Sequence, residues 1–149
     1  MKNILLGLVI FSSASYSFAM TENCTIASTM FEDSGLIMSD GISMAINDGE
    51  KLKNSTVTYD EFSIWFNKIY PKKQANFLNK YNQYKTNDSN NPIYLGFVSI
   101  IEVDNFTVSL NNYMKNKQDN DFKSMLDAKS RIENAYNKLA EDCGKKYER

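Results

Sequence analysis

Apolar residues recur at helical spacing along most of the chain. Ile26, Met30, Ile37/Met38 and Met44/Ile46 mark a first helical segment. Gly35 and Gly41 interrupt it, so one bent helix or two short ones fit equally. Asn47-Asp48-Gly49 reads as a helix stop and turn, and Glu50 to Ser55 as a polar linker. Thr58-Tyr59-Asp60-Glu61 has capping-box spacing, with Phe62, Trp65/Phe66 and Ile69 periodic behind it. Pro71 ends this helix or starts the next. That next helix carries Ala75, Phe77/Leu78, Tyr81 and Tyr84 to about Lys85.

The loop Thr86 to Asn91 precedes Pro92, which suits a first helical turn. From Ile93 an apolar segment runs toward Met114. Val98, Ile100, Ile101, Val103 and Val108 favour strands by propensity. The length of the segment, and the spacing of Val103, Phe106, Leu110 and Tyr113/Met114, instead favour a central buried helix. Two short strands between Phe97 and Tyr113 are the alternative. After a polar linker, Lys115 to Asn120, the stripe Met125, Ala128, Ile132, Ala135, Leu139 and Cys143 specifies a helix over about Asp121 to Asp142. The expected fold is all-α, a compact bundle of about five helices.

The first nineteen residues follow a different pattern. Lys2 precedes the apolar run Ile4 to Phe11, and small residues follow, ending Ser17-Phe18-Ala19. This is the three-part layout of a secretory signal peptide, with cleavage after Ala19 and a single domain from Met20 to Arg149. The expected location is periplasmic or secreted. Removing Lys2 changes the balance from 17 basic and 18 acidic residues to 16 and 18, a side-chain charge of -2. No later apolar run approaches the length of a bilayer span, so stable membrane insertion after cleavage is not expected.

Export gives the two cysteines a meaning. Cys24 and Cys143 lie near opposite ends of the mature chain, and an even pair in an oxidising compartment implies one disulfide joining the first and last helices. Asn-x-Ser/Thr triplets at Asn23, Asn54, Asn87 and Asn105 are read as incidental in an asparagine-rich chain.

Composition removes much chemistry. The chain has no histidine, so imidazole bases, the usual catalytic triad and histidine-bearing zinc sites are out. No metal, cofactor or nucleic-acid partner is expected, and the protein reads as a non-enzyme. Adjacent carboxylates such as Glu32/Asp33, Asp60/Glu61 and Glu141/Asp142 point about 100 degrees apart on a helix and make no acid/base pair. Glu102 and Asp104 interrupt the apolar fourth segment. The wet face of that helix is their simplest placement, whereas burial would demand partners.

Aromatic residues carry the remaining signal. Tyr59, Phe62, Trp65, Phe66, Ile69 and Tyr70 crowd one short stretch. A wide core face is the simpler account, and the other is that one or two of them anchor a protein partner. The candidate partner-binding residues are Glu61, Trp65, Tyr70, Tyr81 and Tyr84. A small exported helical domain without catalytic equipment points to a protein-binding or inhibitor role. In general plan it resembles immunity proteins that neutralise toxins, an analogy of architecture that no motif carries. A helical carrier of a small molecule or lipid, its pocket lined by methionine and aromatic residues, is the alternative.

Overall fold

The computed structural model describes residues 21–144; the targeting segment expected over Met1 to Ala19 lies outside them. Five α-helices follow in order: α1 (Glu22–Ala45), α2 (Tyr59–Lys68), α3 (Tyr70–Tyr81), α4 (Pro92–Asn116) and α5 (Asp119–Gly144). Single 3-10 turns occupy Leu52–Asn54 and Asn82–Tyr84. The bundle is all-α, and a disulfide between Cys24 and Cys143 ties α1 to α5, as expected.

α1 is one helix. Thr21 caps it, its hydroxyl accepting from the Cys24 amide. Gly41 is tolerated in the interior because Trp65 of α2 packs on it; an added Cβ would lie 2.8 Å from the indole ring. The turn after α1 forms where Asn47-Asp48-Gly49 places it: the Glu50 amide donates to the Asn47 carbonyl, and Gly49 takes φ +80, which costs glycine little.

The capping box of α2 is present in both directions. The Glu61 amide donates to Thr58 Oγ1, and the Glu61 carboxylate accepts from the Thr58 amide. α2 and α3 are separated by Ile69 alone, and Pro71 sits in the first turn of α3. There its missing N–H has no intrahelical acceptor to lose.

α4 is a single helix, not two strands. Asn91 caps it by accepting from the Ile93 amide. Ile93, Ile100, Val103 and Thr107 are buried, and packing of this inner face overrides the strand preference of the β-branched residues. The linker to α5 is shorter than the polar run Lys115 to Asn120 suggests. Only Lys117 and Gln118 lie between the helices. Lys117 adopts the left-handed conformation, φ 54, and its amide closes onto the Tyr113 carbonyl. This lets α5 fold back antiparallel.

α4 is the central element, packed chiefly against α5 and α1, with α2 beside it. Val103, Phe106 and Leu110 of α4 belong with Met30, Phe62, Trp65 and Met125 to one core cluster without solvent exposure or nearly so. Between α1 and α4 the approach is close because the facing residues are small. Ser34 and Ser99 are wholly buried and hydrogen-bonded to each other, and Gly96 leaves room for Met30.

Candidate functional site

The residues nominated as partner anchors are largely spent inside the bundle. Trp65, Tyr70 and Tyr81 are 2%, 4% and 3% exposed, so the wide core face accounts for them and the expectation of surface anchors at these positions is replaced. Each directs its polar tip to a carboxylate on a neighbouring helix. Trp65 Nε1 donates to Asp40 (2.6 Å), Tyr70 Oη to Asp104 (2.6 Å) and Tyr81 Oη to Asp33 (2.7 Å). Lys73 and Lys80 of α3 complete the Asp40 and Asp33 contacts with ion pairs of 3.2 and 2.7 Å. Burial, then the hydrogen bond to Asp104, drives the Tyr70 phenol far above its ordinary value. Burial and the bond to Asp33 push Tyr81 up to about 12. Neither phenol is poised for proton transfer at neutral pH. Glu61 is exposed and serves the α2 cap; Tyr84 is half-buried against the core.

Glu102 and Asp104 do not lie on a freely solvated face. The Glu102 side chain is mostly covered and accepts from Arg131 Nε on α5 at 2.8 Å and from Asn105 Nδ2 at 3.1 Å. Asp104 accepts from Tyr70 and from Gln74 Nε2 (2.9 Å). They point to opposite flanks of α4, one toward α5 and the other toward α3. This makes them struts between helices and not a convergent pair.

The surface that stands out is the outer face of α4. Tyr94, Ile101 and Val108 recur every seventh residue and are 37%, 59% and 42% exposed. Seven residues are close to two helical turns, so the three side chains lie in one row. Phe97 and Val98 are half-buried beside it. The helix is consequently apolar inward and outward. By length and composition alone it could cross a bilayer, although half of its most apolar stretch is buried in the bundle. Other exposed apolar residues, such as Leu36 on α1 and Ile64 on α2, fall on separate helices and form no such row.

Beside the lower half of this row lies an open depression of about 340 Å³ between α4 and α5. Asn105, Val108 and Ser109 line one wall and Ser124, Asp127 and Arg131 the other. The lining is mostly polar. It offers hydrogen-bonding groups and the carboxylate of Asp127, but no nucleophile–base arrangement of the kind covalent catalysis needs. Read from spacing alone, Ile101 and Val108 belong to a buried helix. The signal that would have placed them outside is that α4 is apolar over more of its circumference than one core contact requires.

No family model matches the chain, and neither a curated protein nor a solved structure does so.

Proposed function

We propose that this is an exported protein-binding domain that acts through the outer face of α4. The observation that carries the reading is the row Tyr94, Ile101 and Val108, three large apolar side chains in register on the solvent side of a rigid helix. Three exposed apolar residues in register on one helix face are a candidate interaction surface, whereas singly scattered exposed residues need no explanation. The scaffold suits binding because α4 is held on its inner side by α1, α2 and α5. Its outer face is therefore presented already ordered, and a partner need not order it. An inhibitor of the immunity type, blocking a toxin at this face, is the narrower form of the same proposal. The carrier alternative has less support, because the depression beside α4 is polar and lies on the surface.

Export is part of the proposal, supported by the signal-like pattern and by the disulfide that an oxidising compartment would sustain. A mature chain beginning at Met20 is expected, and intact mass measurement of the protein recovered from its own host checks it.

Site-specific photocrosslinking tests the surface. A benzophenone amino acid at position 101 is expected to capture a discrete protein in the native cell envelope, and the same group at the equally exposed Ile64 is not. Adducts of equal yield at both positions, or none at 94, 101 and 108, would remove the proposal.

A further inference from the structure

Resting on that surface, we infer that the occupant of the α4 face is a single amphipathic helix of a partner protein with cationic flanks. Three observations lead there. The first is register. Tyr94, Ile101 and Val108 occupy one set of heptad positions, and Val98, Asn105 and Asn112 occupy the set four residues on, completing the two-column seam that a docked helix reads. Asn105 and Asn112 are the polar members of this seam, and a polar residue at such a position fixes register at some cost in affinity.

The second is size. From Tyr94 to Val108 the row runs about 21 Å and is one helix wide, about 10 to 12 Å. That footprint, roughly 200 to 250 Å², is far below the ~800 Å² each partner contributes to a standard interface between globular surfaces. It matches one helix laid along another.

The third is charge. Glu102 and Asp104 flank Ile101 on its two sides, and Asp127 on α5 faces Asn105 and Val108 across the depression. Arg131, which lines the same depression, is engaged by Glu102, and the exposed Lys123 lies one helical turn from Asp127 on α5. Among the described residues, Asp104 accepts from the neutral donors Tyr70 and Gln74. The far end of the row is closed by Lys115, beyond the depression. A second copy of this chain would bring the same carboxylates together around Ile101, and an anionic lipid surface would be repelled by them. Lysine or arginine at the edges of a docked helix would instead reach Asp127 through the polar depression, which is open enough for a long side chain.

Peptide binding to the mature, disulfide-intact domain tests the inference. The probes are a labelled 21-residue helical peptide with leucine at its core positions and lysine at its flanks, its counterpart with glutamate at the flanks, and a scrambled lysine peptide. Fluorescence anisotropy is expected to give at least about ten-fold tighter binding for the lysine-flanked helix than for either control. Ile101→Asp should weaken it about ten-fold and Asp127→Lys several-fold, while Ile64→Asp, with helicity and melting checked in each variant, should change neither. Equal affinity for the lysine and glutamate helices overturns the inference. So does binding that ignores Ile101→Asp, and so does preferential, Ile101-dependent sedimentation with phosphatidylcholine/phosphatidylglycerol vesicles. If position 101 captures a discrete protein and the peptides fail to discriminate, the binding surface stands and the cationic helix falls.

Discussion

The hydroxyls of Ser34 on α1 and Ser99 on α4 meet at 2.9 Å in the dry interface between the two helices. Each also lies within hydrogen-bond distance of a carbonyl on its own helix, Ser34 of Phe31 at 3.0 Å and Ser99 of Gly96 at 2.7 Å, so two hydroxyl protons are shared among three contacts. Leaving a buried hydroxyl without a hydrogen bond is costly, and this pair finds its partners within the protein. Ser99→Ala is expected to cost about 1 kcal/mol, because Ser34 loses one of its two partners. The double variant Ser34→Ala/Ser99→Ala should cost less than the sum of the singles, since both singles lose the same Ser34–Ser99 bond. Urea unfolding of the four proteins measures the coupling, and strict additivity would show the bond to be energetically idle.

Close approach of the same helices sets a second expectation. An alanine Cβ at position 96 would lie 2.6 Å from Met30 Sδ and 3.0 Å from Met30 Cβ, and Met30 is wholly buried. Gly96→Ala should therefore destabilise by about 1 to 3 kcal/mol, even though alanine is the better helix former. At Gly144 nothing lies within 4 Å, so Gly144→Ala should stay within about 0.5 kcal/mol of the parent. Thermal unfolding compares the two, and equal melting temperatures would refute the packing account.

The disulfide closes a loop of 119 residues in sequence separation. Chain entropy for a loop of this length corresponds to about 5 kcal/mol of stabilisation, most of it exerted on the unfolded chain. Reduction, or Cys24→Ala/Cys143→Ala, should lower the unfolding free energy obtained from urea melts by an amount approaching that figure, with a lower midpoint, while native helicity is retained at low denaturant. A midpoint unmoved by reduction would mean that the unfolded chain is not constrained by the link.

Acid should weaken the α1–α3 contact. Burial pushes the Asp33 carboxyl up, but hydrogen bonds from Lys80 and Tyr81 and the charge of Lys80 outweigh it and hold the group below its ordinary value of 3.8. A carboxylate whose folded value is depressed contributes stability above its unfolded pKa and loses that contribution as pH falls through the folded one. The difference in unfolding free energy between the parent and Asp33→Asn should thus be constant from about pH 5 to 7 and shrink as pH drops below 3.8. Urea melts across that range test it; a difference that grows toward acid has the wrong sign.

Much of this molecule is legible from residue spacing. The periodic stripe of α5 from Met125 to Cys143, the Thr58–Glu61 capping box, the Asn47–Gly49 turn and Pro92 at the head of α4 all depend on neighbours within a few residues, and the local chain settles them. Cysteine pairing is equally readable, because two residues allow one intramolecular bond. Harder is the aromatic cluster. Trp65, Tyr70 and Tyr81 are written as candidates for either core or interface, and the choice turns on Asp40, Asp104 and Asp33, which lie 25, 34 and 48 residues away. No local pattern encodes such a pairing.

The same division holds for the candidate site. Helix periods, caps, charge and the cysteine pair follow from amino-acid order, since hydrogen bonding along a helix and the reach of a side chain are short-range. Which side of α4 meets solvent is a different kind of fact. Its residues are apolar over most of the circumference, so periodicity alone assigns it no outer face. Only the packing of α1, α2 and α5 against its other sides, with α3 reaching Asp104, leaves Tyr94, Ile101 and Val108 uncovered, because neighbours of this size enclose part of a helix and not all of it.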